Sequence, residues 1–373
     1  MKKFLVTMLI AALSCGVLAG CKKTEEAAPE PTTESEVVSD EKPEPVAEEE
    51  TKDGMQRSYL TGEWIDKETA KKRPVAIMMG NTNESGVLPQ HGISFADIIY
   101  EVPVEGEATR LMPIFQDYAK VEKVEPIRSC RLYFLEFASE FDAIYSHWGE
   151  VVYAEEMLST YNHLDGKSNE LSGLTFFRDD DKSAPHNGYT TGEALIKGIE
   201  KLGYPVDHAD GYEGHYKFAE DDAPVNLEDG TDAVVVEAGY NLNKPWFVYN
   251  AEDGLYHRYQ YKQEHTDAIN GEQAAVKNVI LQNTECYDAD ENGYLGFHTV
   301  GSGTGLYVTN GKAIPVTWKK DAVTSATHYY NQAGDEITLN QGKTWVCIIK
   351  QKYSEKVTCY ASEADFEAAK AGN

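Results

Sequence analysis

The stretch EPIRSCRLYFLEFASEFDAIYSHWGE, residues 125–150, joins a helical pattern to a strand pattern and so indicates the fold class. Apolar side chains recur at helical spacing from Leu132 to Phe141, and they follow Ser129, a residue type that favours the N-cap position. The run DAIYSH, residues 142–147, is short and apolar, which is typical of a buried strand. The segment therefore predicts a helix that begins at Ser129 and a strand that ends at His147.

The flanking segments continue this alternation of helix and strand. Strand patterns occur in RPVAIMM (73–79), FADIIYEVPV (95–104) and ATRLMPIFQDY (108–118). A helix pattern follows in residues 190–204, where Thr190 and Glu193 are spaced as a capping box and Gly203 ends the pattern. Alternating strands and helices predict an α/β N-terminal domain with a mixed sheet, over residues 59–222.

The C-terminal part of the chain, residues 223–373, has mainly strand patterns, which are separated by turn pairs such as Asp253-Gly254 and Asn310-Gly311. The segment GLYVTNGKAIPVTW, residues 305–318, predicts a hairpin. GSGTG, residues 301–305, is interpreted as a turn, since no helix follows it to complete a phosphate-binding loop. We expect a mostly antiparallel β C-terminal domain, and an α+β fold overall.

The four cysteines that follow residue 58 give no metal signature. No CxxC pair occurs, so the sequence predicts no structural zinc site. The spacing of His91, His147 and His186 gives no metal signature either, and we expect no metal and no cofactor. Cys347 and Cys359 lie in TWVCIIKQKYSEKVTCY, residues 344–360, which has the pattern of a hairpin turning near Tyr353. The two thiols either face each other and form a disulfide, or remain separate buried thiols.

The N-terminus has the pattern of a bacterial lipoprotein signal. Two lysines precede an apolar run that is short for a membrane span, and residues 1–21 end in Leu-Ala-Gly-Cys. This quartet resembles a lipobox, in which Cys21 is lipidated and becomes the new N-terminus; the alternative is an ordinary cleaved signal. A lipid on Cys21 would hold the chain at the outer face of the cytoplasmic membrane.

Residues 22–58 are rich in Glu, Pro, Thr and Ala. This composition predicts a disordered acidic tether between the lipid anchor and the folded part of the chain, residues 59–373. The whole chain has 373 residues and a formal charge of −28. A chain this acidic is a poor partner for nucleic acid, although it can still contain a local basic pocket.

The distribution of arginine suggests where such a pocket lies. Only seven of the 34 basic residues are arginine, and Arg128 and Arg131 lie three apart. If a helix begins at Ser129, both arginines share a face at its N-terminus, where backbone N–H groups and the helix dipole favour anions. The alternative is pairing with internal glutamates that are near enough in sequence, namely Glu101, Glu105, Glu107, Glu136 and Glu140.

Further candidates lie at strand ends and in one loop. His147 ends a predicted strand, a common position for ligand contacts in α/β sheets. His186 and Asn187 lie in APHNGYTT, residues 184–191, directly before a predicted helix. With Arg110, Arg128 and Arg131 they form the predicted ligand-binding set, and His147 and His186 are the candidates for a catalytic acid or base.

Several of these segments together resemble the YerB-like lipoproteins, a two-part family of unknown function in Gram-positive and related bacteria. The resemblance rests on RPVAIMMGN, PQHGISFADIIYEVPVEGEATRLMPIF, PIRSCRLYFLEFASEFDAIYSHWG, APHNGY, NGKAIPVTWKK and LNQGKTWV, in that order. It implies a lipid-anchored, extracytoplasmic protein with two domains. The family pattern corresponds here to Glu105, Gly106, Arg110, Arg128, Ser129, Arg131, His147, His186 and Asn187.

Three functional hypotheses follow. The favoured one is a binding protein for an anionic or polar envelope ligand, such as a cell-wall polymer or an envelope protein. The second is a hydrolase or transferase that acts on a wall glycan or phosphodiester, with the arginines stabilising charge in the transition state. The third is an assembly factor whose arginines only make internal ion pairs.

Overall fold

The computed structural model describes residues 52–372. The predicted signal sequence, the lipidation site Cys21 and most of the predicted tether lie outside these residues. Met55–Arg57 already form a strand, paired with Trp64–Asp66, so ordered structure begins inside the segment assigned to the tether. No helix among residues 52–372 is long and apolar enough to cross a membrane.

Helices are few in the described part of the chain. They are α1 Lys67–Ala70, α2 Leu132–Ser139, α3 Glu155–Leu158, α4 Gly192–Leu202 and α5 Glu363–Ala371. In the first half the strands are β1 Met55–Arg57, β2 Trp64–Asp66, β3 Val75–Ile77, β4 Met79–Asn81, β5 Ile98–Pro103, β6 Thr109–Phe115, β7 Ile144–His147, β8 His163–Asp165, β9 Phe177–Arg178 and β10 Gly188–Tyr189.

In the second half the strands are β11 Thr231–Asp232, β12 Val235–Glu237, β13 Trp246–Asn250, β14 Leu255–Gln260, β15 Gln263–Glu264, β16 Ala275–Val276, β17 Asn278–Thr284, β18 Cys286–Asp288, β19 Leu295–Phe297, β20 Gly301–Thr309, β21 Lys312–Lys320, β22 His328–Tyr330, β23 Thr344–Lys350 and β24 Thr358–Tyr360.

One large mixed sheet contains strands from both halves. Its order is β11-β21-β20-β17-β23-β5-β6-β3-β7-β8, with β22 beside β21 and β4 beside β6. The pairs β17–β23, β23–β5, β3–β7 and β7–β8 are parallel, and the others are antiparallel. Since β23 pairs with β5, the described residues form one compact unit. The domain boundary near residue 222 stays a prediction.

The central strands of this sheet are buried on both faces. Ile98–Pro103 are all buried, and so are Thr344–Lys350. Trp345, Cys347 and Ile349 pack into one apolar cluster, while Val346 and Ile348 pack into the other. Strands covered on both faces have continuous apolar sequences, which explains why these segments show no polar alternation.

A second sheet belongs to the second half and is antiparallel throughout. Its order is β15-β14-β13-β12-β24, with β16 beside β14. The predicted hairpin is confirmed as β20–β21, with Asn310 and Gly311 at φ 49° and 75° in its turn. The α+β fold class is confirmed, with a mixed sheet from the first half and a mostly antiparallel second half.

Three local predictions are wrong. Residues 301–305 are not a turn but the start of β20. Cys347 and Cys359 do not face each other across a hairpin, because β23 lies in the large sheet and β24 in the second sheet; both thiols are free. The cap of α4 is Thr191 rather than Thr190, and its side chain accepts the Ala194 N–H.

Candidate functional site

Arg110 and Arg128 are brought to one face of the large sheet by Gly80. Gly80 on β4 is paired with Arg110 on β6. The aliphatic stem of Arg128 packs on the bare side of Gly80, where a Cβ would lie 3.2 Å from the Arg128 Cγ. Because paired residues of neighbouring strands project to the same side, the two guanidinium groups belong to one cluster.

Arg131, the third arginine of the cluster, is fully paired. Its Nε donates to Glu105 Oε1 over 3.0 Å, and its terminal nitrogens donate to Glu105 Oε2 over 2.7 Å and to the Cys130 carbonyl over 3.0 Å. Burial disfavours its charge, but the bonds to Glu105 raise the pKa of Arg131 above its usual range. Arg131 thus fits the internal-pairing alternative.

Arg110 and Arg128 have no ion pair with a carboxylate within residues 52–372. Arg110 donates to the Ser129 carbonyl over 2.5 Å, and Arg128 donates to the Pro185 carbonyl over 3.1 Å. Burial, together with the positive charges of Arg131 and Arg128, lowers the pKa of Arg110 to about 9. Burial also lowers the pKa of Arg128; the negative charge of Glu84 opposes this effect, and the positive charge of Arg131 adds to it. Three arginines thus lie near two carboxylates, Glu105 and Glu84, which leaves the cluster with a net positive charge.

His186 connects Arg128 to a carboxylate. Its Nδ1 lies 3.3 Å from a terminal nitrogen of Arg128, and its Nε2 lies 2.8 Å from Glu84 Oε2. Since arginine can only donate, Nδ1 is the acceptor, and Nε2–H donates to Glu84. Both ring nitrogens of His186 are thereby occupied.

Asn187 contacts a different group. Its side-chain oxygen accepts a hydrogen bond from Arg178 over 2.8 Å, and its nitrogen donates to the Asp179 carbonyl over 3.2 Å. The Arg178 guanidinium in turn stacks over Trp148 at 4.0 Å from the ring centroid. Asn187 therefore shapes the loop that contains His186, but the structure does not bring it into the arginine cluster.

His147 lies at the end of β7, as expected, but it is fully buried. Its Nδ1 donates to the Gly149 carbonyl over 2.9 Å, and its Nε2 lies 2.9 Å from Nδ1 of His163. Burial lowers the pKa of His147 to about 4, so its ring is neutral at pH 7. His147 contacts His163 rather than the arginines.

Comparison with known proteins places this site in a family context. A model described as "Protein of unknown function (DUF3048) N-terminal domain" matches residues 60–205, and the corresponding C-terminal domain model matches residues 234–346. The chain belongs to the DUF3048 family. All three clustered arginines, both histidines and Asn187 lie within the N-terminal DUF3048 match.

A curated relative and a solved structure extend the comparison. The chain is 28% identical over 300 residues to the Bacillus subtilis protein named "Putative lipoprotein YerB", which covers 79% of this chain and 86% of YerB. It is also similar to the crystal structure of YerB from Bacillus subtilis, with a TM-score of 0.69 and 26% identity over 82% of this chain and 99% of that chain. The similarity thus extends through both DUF3048 domains.

The helix expected at Ser129 begins three residues later, at Leu132, with Arg131 at its N-cap. Backbone bonds hold the preceding residues extended: the Arg128 N–H donates to Met78 over 2.9 Å, and the Cys130 N–H donates to Gly149 over 2.7 Å. The prediction that Arg128 and Arg131 share a helix face is therefore wrong. The arginines converge through strand pairing instead.

Sequence reasoning missed several residues of the site. Glu84 lies between strand patterns with no motif around it, and Gly80 gives no signal because its role is to leave space for Arg128. His163 and Asp165 lie two apart on β8, a spacing that places both side chains on one face. This i, i+2 pair of a histidine and an aspartate begins 16 residues after His147 and is the signal that the sequence offers.

Proposed function

We propose that this DUF3048 protein is a lipid-anchored, extracytoplasmic protein that binds an anionic ligand through Arg110 and Arg128. The anchor is supported by the lipobox-like sequence ending in Cys21 and by the name of the related YerB protein. The chain would then act at the outer face of the cytoplasmic membrane, where cell-wall polymers and envelope proteins are the available anionic or polar partners.

The observation that supports the ligand is that two neighbouring, half-buried arginines make no ion pair with a carboxylate of the described residues. Arginine presents a planar set of donors that matches carboxylate and phosphate groups. A buried charge without a counter-charge is costly, and an anion bound between Arg110 and Arg128 would remove that cost. Arg131 adds positive charge nearby while its own donors remain with Glu105.

A small cavity beside Arg131 suggests that the ligand is larger than a simple ion. It has a volume of about 180 Å³, and its lining includes Tyr153, Tyr287 and Tyr294. The Arg131 guanidinium lies 5.3 Å from the Tyr294 ring centroid. Tyrosine rings combine an apolar surface with a polar edge, so they suit the rings of a polar polymer fragment that carries the anionic group.

A second candidate function is a hydrolase or transferase of a wall glycan or phosphodiester. The contact between Glu84 and His186 favours it, because a carboxylate that orients a histidine is a common catalytic arrangement. However, Arg128 occupies the other nitrogen of His186, and both nitrogens of His147 are occupied. Binding therefore fits the geometry better than acid–base catalysis by either histidine.

The proposal is tested by thermal unfolding of the full chain in detergent, with increasing concentrations of anionic wall fragments and phosphate esters. A ligand that binds the folded state raises the unfolding temperature as its concentration rises. The double variant Arg110→Met/Arg128→Met should lose this response, while the exposed-site control Arg57→Met should keep it. An equal response in the double variant would refute the site, and turnover of any ligand that binds would support the enzyme instead.

A further inference from the structure

We infer that His147, His163, Glu150 and Asp165 form a binding site for one divalent transition-metal ion, such as Zn²⁺. The strands β7 and β8 are parallel, with Tyr145 paired to His163 and His147 paired to Asp165. Residues two apart on a strand project to the same face. His147, His163 and Asp165 therefore lie on one face, at the carboxyl ends of two neighbouring strands.

A tight turn adds Glu150 to this group. Gly149 follows β7 with φ +80°, a conformation that favours glycine. The turn returns the chain so that ligand atoms of His147, Glu150 and Asp165 all lie within 4.8 Å of one another. This group does not include His163, which joins the site through its contact with His147. A modest inward movement of the carboxylates would bring these atoms to the separations expected around a single ion.

The two imidazoles lie close to the spacing that a shared ion requires. Nε2 of His147 and Nδ1 of His163 are 2.9 Å apart, the distance of a hydrogen bond. Two nitrogens bound to one tetrahedral Zn²⁺ at about 2.0–2.1 Å would be separated by about 3.3–3.4 Å, so the ion would replace this hydrogen bond after a shift of about 0.5 Å. The Nδ1–H of His147 donates to the Gly149 carbonyl, which leaves the Nε2 lone pair for the ion, as is usual for metal-binding histidines.

The carboxylates supply negative charge that is weakly balanced by the protein. Asp165 Oδ1 accepts the backbone N–H groups of Gly149 and Lys167, each over 2.9 Å, which fixes the orientation of the carboxylate. Within residues 52–372 Glu150 has one ion pair, a 3.3 Å contact with the half-exposed Lys167 side chain. A bound dication would neutralise both carboxylates.

The donor set indicates the class of metal. Imidazole nitrogen combined with carboxylate oxygen suits Zn²⁺ and neighbouring transition metals, whereas Ca²⁺ and Mg²⁺ prefer oxygen alone. In the absence of an ion, His163 can donate its Nδ1 proton to His147. With an ion bound, His163 would carry this proton on Nε2 and use Nδ1 as a ligand.

The test is a Zn²⁺ and Mn²⁺ titration of the full chain in detergent, purified without a polyhistidine tag and treated with a chelator. Bound metal is measured by elemental analysis and the unfolding temperature is followed in parallel. We expect one ion per chain and a rising unfolding temperature. The double variant Glu150→Gln/His163→Gln should bind more than about 100-fold more weakly, because loss of an outer-shell partner alone costs about 10–100-fold. The control His257→Gln should bind normally.

Two results would overturn the inference. One is that the unaltered chain binds no stoichiometric metal, in which case the two histidines form only a hydrogen bond. The other is that the double variant, folded as shown by its unfolding temperature without metal, binds as tightly as the unaltered chain. If the double variant fails to fold, the single variant Glu150→Gln takes its place, since Glu150 lies outside the strands.

Discussion

Arg258 donates a hydrogen bond to Glu101 over 2.7 Å, and both side chains are completely buried. Arg258 lies on β14 of the second sheet and Glu101 on β5 of the large sheet, so the pair joins the two sheets. Glu101 also accepts hydrogen bonds from Asn81, Thr109, Asn243 and Trp345. This network connects the first half of the chain to the second through charge as well as through apolar packing.

Glu101→Gln should therefore destabilise the fold strongly. Removing one charge leaves Arg258 buried without a counter-charge, a change that costs about 3–5 kcal/mol in comparable pairs. Denaturant unfolding measures the loss. Arg57→Met, which breaks an exposed pair with Asp221, should cost about 1 kcal/mol or less. Equal losses in the two variants would contradict a special role for the buried pair.

The sequence allowed the individual strands to be predicted better than their partners. FADIIYEVPV and ATRLMPIFQDY were recognised because continuous apolar runs indicate buried strands. TWVCIIK was also recognised as a strand, but it was paired with the wrong segment. Its real partners, β17 and β5, lie far away in the sequence, and no local pattern specifies a parallel pairing over such a distance.

In the candidate site, too, the sequence indicated the residues but not the strand pairing that brings them together. The scarcity of arginine pointed to Arg110, Arg128 and Arg131, and the structure brings these three together. They do not converge on a helix face, because backbone bonds to Met78 and Gly149 keep residues 128–130 extended. His163 was missed because its relation to His147 depends on the pairing of β7 with β8, which the sequence does not reveal.

Arg110→Met and Arg131→Met should have opposite effects on the unliganded protein. Arg110 is half-buried and has no carboxylate partner within residues 52–372, so its replacement by an apolar side chain should leave the free energy of unfolding unchanged or raise it. Arg131→Met leaves Glu105 without its partner and should cost on the order of 1.5–3 kcal/mol. Denaturant unfolding of both variants measures these changes in the free energy of unfolding. A large loss for Arg110→Met would show that this arginine is a structural support.

Asp97 should make stability depend on pH. Burial raises the pKa of this carboxyl to about 6, above its ordinary value of 3.8. A raised pKa in the folded state means that its contribution is fully present below about pH 4 and is lost as pH rises through 6. Asp97→Asn should therefore gain about 1–3 kcal/mol relative to the unaltered chain between pH 4 and pH 8. Urea unfolding at pH 4.5, 6 and 8 measures this, and a constant difference across the range would contradict the prediction.

Gly80→Ala should disturb the arginine cluster without removing any charge. The added Cβ would lie 3.2 Å from both the Arg128 and the Pro126 side chains, so the stem of Arg128 must shift from its position beside Arg110. Forcing a methyl group into such a contact costs about 1–3 kcal/mol. If Arg110 and Arg128 hold one anion together, the ligand-dependent rise in unfolding temperature should fall nearly as far as in Arg128→Met. A response equal to that of the unaltered chain would mean that the anion does not require the two arginines to share this face.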